Sequence, residues 1–99
     1  MTNLVPRGSS EPLDARGLSK LRWRCRRGML ENDLFLDRFF ERYAASLTVG
    51  QANALTELMG LNDNDLLDLH LARKSVAEVD VTLDREEVVE VLKMLRNYY

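Results

Sequence analysis

Apolar residues recur at the 3.6-residue period of an α-helix in several short segments of this 99-residue chain, and that spacing predicts about five helices. The predicted helices cover roughly residues 18–27, 29–45, 48–60, 62–71 and 84–98. Isolated helices of this length are marginally stable in water, so they must bury their apolar faces against one another. We therefore predict an all-α fold, in which about five short helices form one compact single-domain bundle.

Capping signals mark the predicted helix boundaries. Three starts carry side chains that can accept hydrogen bonds from the first backbone N–H groups: Thr48 with Gln51, Asn62, and Asp84 with Glu87. Gly28 and Gly60 mark two ends, because glycine can take a positive φ after the last helical residue at little cost.

The segment 75–83 fits the helical period less well. Val79, Val81 and Leu83 alternate with polar residues, as they would in a short β-strand. A single strand would have no partner in an otherwise helical chain. We therefore predict an extended linker between the fourth and fifth helices.

One domain is expected, because 99 residues is below the size at which chains divide, and an apolar content of 45% suits one modest core. Residues 1–13 are predicted to be a disordered N-terminus or the remnant of an expression tag, since residues 4–9 resemble a thrombin-type cleavage site. Residues 14–99 are predicted to be the helical domain. The chain has one cysteine and no long apolar run, which indicates a soluble protein from a reducing compartment without membrane insertion. We expect it to be cytoplasmic, and monomeric when free.

Charge is distributed unevenly along the chain. Residues 1–27 carry seven Lys or Arg against two acidic residues, a net charge of +5, whereas residues 28–99 carry seven against fourteen, a net charge of −7. A basic first helix on an acidic body indicates a polarised binding surface. A protein partner is favoured, because Asp63, Asp65 and Asp68 in the fourth helix would repel phosphates. The alternative is a nucleic-acid-binding or toxin-antagonist regulator that uses the basic first helix.

No catalytic, metal or cofactor site can be assembled from the sequence pattern. His70 lies in an apolar helical stretch and Cys25 on an apolar stripe, so both are interpreted as structural. The cluster 62–65 resembles a calcium loop only superficially, since the required glycine and bidentate glutamate are missing, and helix capping explains it. The aromatic stripe of the second helix, which contains Leu36, Phe39, Phe40 and Tyr43, is interpreted as core rather than as a cofactor site.

The turn between the first two helices is the remaining functional signal. Its sequence is Arg26-Arg27-Gly28-Met29-Leu30-Glu31-Asn32-Asp33. Arg27 supplies a planar guanidinium with five donors, Gly28 permits close approach of another backbone, and Glu31 can pair with Arg27 or with a partner cation. These properties suit a docking turn, although a capping glycine between solvated charges fits the spacing equally well.

This segment resembles the succinate dehydrogenase assembly-factor family, the SdhE or YgfY type, whose hallmark is an Arg-Gly-x-x-Glu motif in a short all-helical chain. The motif here is residues 27–31. Residues 21–26 before it, and Asp33, Phe39-Phe40 and Tyr43 after it, are also similar to the family pattern.

The resemblance implies a chaperone-like bacterial assembly factor, not an enzyme, that binds the flavoprotein subunit of succinate dehydrogenase or fumarate reductase and promotes covalent attachment of its FAD. The FAD would belong to the partner, so no cofactor, metal or catalytic residue is expected in this chain. The implied partner-binding residues are Arg27, Gly28, Glu31, Arg26, Asp33 and Trp23.

Overall fold

Six α-helices and two turns of 3₁₀-helix occupy the part of the chain that the computed structural model describes, residues 10–26 and 28–96. The α-helices are α1 (Ala15–Arg24), α2 (Leu30–Tyr43), α3 (Val49–Leu58), α4 (Asp63–His70), α5 (Val76–Val79) and α6 (Glu86–Arg96). The 3₁₀ turns are Ala44–Ser46 and Val81–Leu83. The all-α prediction is confirmed. No helix in the described ranges is both long and apolar enough to cross a membrane.

Side-chain caps fix three helix starts. The Asp14 carboxylate accepts from the Gly17 N–H at 2.7 Å, so α1 begins three residues before the predicted start. Thr48 and Gln51 form the predicted capping box at the start of α3, with bonds of 3.1 and 3.0 Å. Asn62 caps α4 by accepting from the Asp65 N–H at 2.8 Å, which confirms capping as the role of this residue.

The predicted extended linker at 75–83 was wrong. Ser75 and Glu78 form a capping box that starts α5, with bonds of 2.8 and 3.3 Å. The hydrogen bond that the Ser75 backbone N–H donates to the Glu78 carboxylate is the main cause that holds the pKa of Glu78 below its ordinary value. Asp80 then accepts from the Thr82 N–H at 3.0 Å and starts the second 3₁₀ turn. Local side-chain bonds to the backbone therefore override the apolar alternation.

The predicted capping pair of Asp84 and Glu87 is displaced by one residue from the helix start. The last α-helix begins at Glu86, so its N-cap position is Arg85 and not Asp84. The Arg85 carbonyl accepts the N–H groups of Val88 and Val89 at 3.1 and 2.9 Å. Glu87 instead accepts from Arg85 Nε at 2.8 Å.

Arg85 ties the start of α6 to the end of α3. Its Nη2 lies 2.7 and 2.8 Å from the two carboxylate oxygens of Glu57, and its Nη1 donates to the Thr82 carbonyl at 3.0 Å. The hydrogen bonds that Arg85 donates to the Glu57 carboxylate raise the pKa of Arg85 above its ordinary value. These bonds orient the last helix against α3, with which it forms much of the core.

The core lies among α2, α3, α4 and α6. The fully buried apolar side chains are Phe39, Leu55, Leu58, Leu66, Leu69, Val88, Val91, Leu92 and Leu95. The stripe on α2 is confirmed as core, since Leu36, Phe39 and Phe40 are buried and Tyr43 is half-buried. Phe39 and Phe40 meet edge to face, with ring centroids 5.3 Å apart.

The end of α4 contains the one non-glycine residue with positive φ in the described ranges, Ala72 at +58°. The Arg73 N–H donates to the Asp68 carbonyl at 2.8 Å and the Ala72 N–H to the Leu69 carbonyl at 3.1 Å, which is a Schellman motif. Arg96 Nε also donates to the Leu69 carbonyl, at 2.7 Å, and partial burial lowers the pKa of Arg96.

The segment before α1 is held against the rest of the fold. Leu13 N–H donates to the Leu47 carbonyl at 3.0 Å, and Val49 N–H donates to the Glu11 carbonyl at 2.8 Å. Glu11 and Leu13 belong to the segment 1–13, for which a disordered N-terminus or the remnant of an expression tag was predicted. Residues 1–9, with the cleavage-like sequence, and residues 97–99 lie outside the described residues.

Candidate functional site

The turn between α1 and α2 has the backbone that its glycine predicts. Gly28 has a φ of +85°, a region that side chains other than glycine rarely adopt, and it is the described glycine with positive φ; Gly60 does not share it. A Cβ added at Gly28 would meet no atom within 4 Å, so the space around it is open. The expected positive φ is confirmed, and another backbone could approach this turn closely.

The six predicted site residues are placed in three ways. Trp23, Arg26 and Asp33 line one cavity, while Gly28 on the turn and Glu31 in the first turn of α2 are exposed. The Trp23 side chain is 78% exposed. Arg27 lies outside the described residues.

The cavity has a volume of about 330 Å³ and lies between the C-terminal half of α1 and the N-terminal half of α2. Its α1 side carries Arg22 and Arg26, and its α2 side carries Asp33 and Asp37. Leu36, Phe40 and the buried Cys25 supply apolar surface, and the Arg22 guanidinium lies 5.3 Å from the centre of the Phe40 ring. Such a groove can hold a polar segment of a partner chain through charge-assisted hydrogen bonds on both walls.

Asn32 is a residue of this region that the sequence analysis did not select. Its side chain is fully buried in the first turn of α2. The amide Nδ2 donates to the Asp63 carbonyl at 3.0 Å and lies 3.4 Å from the Met29 sulfur. The amide oxygen therefore faces His70 and accepts from its Nδ1–H at 3.0 Å, an assignment that follows from the hydrogen-bond network.

The Asn32 bonds attach the start of α2 to both ends of α4. Asp63 is the first residue of α4 and His70 is the last. His70 is 2% exposed and stacks on Phe35 with ring centroids 4.6 Å apart, which confirms its structural interpretation. A usable sequence signal did exist: Asn32 lies three and seven residues before Phe35 and Phe39, on the helical face that becomes buried.

Cys25 is 2% exposed and packs in the core, which confirms the structural interpretation of this thiol. In residues 10–26 and 28–96, no three His, Cys, Asp or Glu side chains lie close enough together to hold a metal ion. The groups presented around the turn are charged side chains, the Trp23 ring and the Gly28 backbone, which suit binding of another protein.

The described fold is a small helical bundle in which an exposed Gly28 turn lies beside a cavity lined by charged side chains, and it defines a small protein-binding module. The profile of the family described as flavinator of succinate dehydrogenase matches residues 19–98. The chain belongs to this family.

Three relatives of this chain carry the name FAD assembly factor SdhE. The protein from Ralstonia nicotianae is 48% identical over 87 residues, which is 88% of this chain and 88% of the relative. The Coxiella burnetii protein is 42% identical over 59 residues, 60% of this chain and 68% of the relative. The Legionella pneumophila protein is 33% identical over 85 residues, 86% and 98% of the two chains. No solved structure gives a significant match.

Proposed function

We propose that this chain binds the flavoprotein subunit of succinate dehydrogenase and promotes covalent attachment of its FAD, without being an enzyme itself. Family membership and the names of the relatives support this function. The structural observation that carries it is the exposed Gly28 turn, whose positive φ and open surroundings suit docking against another backbone.

The proposed contact surface consists of Arg27, Gly28, Glu31, Arg26, Asp33 and Trp23. Glu31 and Arg26 are exposed and can form charge-assisted hydrogen bonds to a partner, while Trp23 offers a large rigid ring. The role of Arg27 rests on the sequence motif alone. The FAD belongs to the partner, and this chain needs no cofactor of its own.

The mechanism is conformational. The docked turn stabilises the flavoprotein conformation in which the partner's own acceptor side chain and the bound isoalloxazine ring are aligned. Correct alignment of two reacting groups can supply about 7 to 11 kcal/mol of a barrier, so positioning alone can account for a large acceleration. The covalent chemistry stays within the flavoprotein.

The direct test measures covalent flavin in the purified flavoprotein subunit, mixed with FAD in the presence and absence of this chain. After denaturing electrophoresis, in-gel flavin fluorescence reports only the covalently bound fraction. We expect the fluorescent band to increase with this chain present, and equal bands in the two samples would reject the proposed function.

Two Gly28 variants separate backbone conformation from close approach. Asparagine tolerates positive φ better than valine, so Gly28→Asn should keep the turn while adding a side chain where the partner would approach. We expect both Gly28→Asn and Gly28→Val to lose flavinylation, with unchanged helical circular dichroism for Gly28→Asn. Full activity of Gly28→Asn would show that no close contact forms at this glycine. Ala77→Asn, at an exposed position on α5, is the matched control and should keep full activity.

The proposed function extends to the related flavoprotein of fumarate reductase and places the chain in the bacterial cytoplasm as a monomer before it docks. Parallel flavinylation assays with the two flavoproteins measure the preference. Sedimentation of the free chain measures its molar mass, and a stable dimer would contradict the proposed monomer.

A further inference from the structure

The outer face of α1 carries cations that the helix itself does not need. Arg16, Lys20 and Arg24 are spaced four residues apart, so they lie on one face of the helix, and all three are exposed. Like charges at this spacing repel each other, and α1 contains no acidic residue to offset them. Arg24 in the last turn complements the helix dipole, but Arg16 in the first turn opposes it. Helix stability therefore does not explain Arg16 or Lys20.

Trp23 lies on the same side of the helix as Lys20 and is 78% exposed. We refer to Arg16, Lys20, Trp23 and Arg24 as the α1 basic face. Exposed tryptophan among arginines is typical of the residues that dominate binding energy at protein interfaces. Because Trp23 also lines the cavity beside the Gly28 turn, the α1 basic face is continuous with the proposed contact surface.

Three cations elsewhere on the fold lie within 4 Å of carboxylates. Arg73 and Lys74 pair with Asp68, and Arg85 pairs with Glu57 and Glu87. Within residues 10–26 and 28–96, by contrast, no carboxylate oxygen lies within 4 Å of a cation of the α1 basic face. The α1 basic face thus presents positive charge that the described fold leaves available to an anionic surface.

We propose that the α1 basic face binds an acidic surface of the flavoprotein partner and forms a second contact area beside the Gly28 turn. This inference rests on the proposed function. Attraction between the two surfaces raises the association rate and orients the encounter, so that the turn meets its contact in the productive direction. A protein is favoured over nucleic acid because residues 28–99 carry a net charge of −7, which would repel a long phosphate backbone.

The test reverses two charges and leaves the turn untouched. Arg16→Glu/Lys20→Glu changes the net charge by four, and a glutamate in the first turn of α1 complements the helix dipole, so folding is not at risk. The matched control, Asn64→Glu/Ala77→Glu/Lys93→Glu, changes the net charge by the same amount at exposed positions on α4, α5 and α6. Association rate constants with the purified flavoprotein subunit are measured by stopped-flow over a series of NaCl concentrations.

We expect the α1 variant to associate at least ~10-fold more slowly than the unmodified chain at low salt, with the difference shrinking as salt rises. The control variant should keep most of the original rate and its salt dependence. Equal rates and salt slopes for the α1 variant and the control would overturn the inference while leaving the proposed function intact. If the unmodified chain does not bind the flavoprotein at any salt concentration, both proposals fail. A third outcome concerns a DNA probe. If the unmodified chain retains the probe, and the α1 variant loses the probe but binds the flavoprotein unchanged, the α1 basic face would be assigned to nucleic acid. That result would also overturn the inference.

Discussion

Replacing Asn32 by leucine is expected to lower the free energy of unfolding by about 2 to 4 kcal/mol, although the two side chains have the same number and branching of heavy atoms. The variant removes the acceptor of the His70 Nδ1–H and the donor to the Asp63 carbonyl. A buried donor left unsatisfied costs roughly 1 to 3 kcal/mol, and His70 is 2% exposed. The bond to Asp63 is only partly buried, so its loss adds a typical net value of about 0.5 to 1.5 kcal/mol.

A second variant tests whether the unsatisfied His70 causes this loss. In Asn32→Leu/His70→Leu both polar partners are replaced by apolar groups, a change that can be nearly neutral for the pair. The double variant should therefore be less destabilised than the sum of its two single variants, with a coupling of at least ~1 kcal/mol, because residues in contact are not additive.

The free energy of unfolding is measured by urea titration, monitored by far-ultraviolet circular dichroism. The four proteins compared are the unmodified chain, the two single variants and the double variant. A loss of about 2 to 4 kcal/mol lowers the urea midpoint by roughly 1 to 3 M for a chain of this size. The expected stability of a domain this long is about 5 to 15 kcal/mol, so Asn32→Leu should still fold. Additive single variants, or an unchanged midpoint for Asn32→Leu, would refute the role given to the Asn32–His70 bond.

Three further substitutions test other parts of the fold by the same unfolding assay. Ala72→Gly should raise the free energy of unfolding by about 0.5 to 1 kcal/mol, since Ala72 has a φ of +58° at a position that favours glycine, and a decrease would contradict the assigned Schellman motif. Arg85→Met should lower it, because the hydrogen bonds from Nη2 to both carboxylate oxygens of Glu57 are lost, and high salt should shrink the difference from the unmodified chain. Leu58→Ala should lower it by about 2 to 5 kcal/mol with flavinylation unchanged at low temperature, and a loss below ~1 kcal/mol would contradict full burial of Leu58.

Several features of the fold could be predicted because their causes are local in sequence. Thr48 and Gln51 form a capping box whatever surrounds them, and the apolar stripe through Phe39 and Phe40 follows from helical spacing. Gly28 is also local, since its positive φ depends on one residue that lacks a Cβ. Local signals of these kinds identified the class of fold and the candidate turn.

The features that sequence analysis missed have competing or distant causes. Apolar alternation over residues 79–83 indicated an extended segment, but bonds from Ser75 and Asp80 to nearby backbone groups produce helical turns instead. Asn32 has its partners 31 and 38 residues away, so no local rule could name them. The cavity also depends on the packing of two helices, which spacing within either one does not determine.

Burial of Asn32 has a consequence for how the turn is displayed. Successive residues of an α-helix are about 100° apart around its axis, so holding Asn32 against α4 fixes the directions of Glu31 and Asp33 on either side of it. Glu31 is accordingly exposed, whereas Asp33 lines the cavity. The hydrogen bonds that contribute to stability therefore also orient the proposed contact residues. An Asn32 variant changes both the stability of the fold and the orientation of the contact residues, whereas substitutions at Glu31 and Gly28 act at the surface. Binding defects of Asn32 variants can therefore be compared with those of Glu31 or Gly28 variants only after the stability of each variant has been measured.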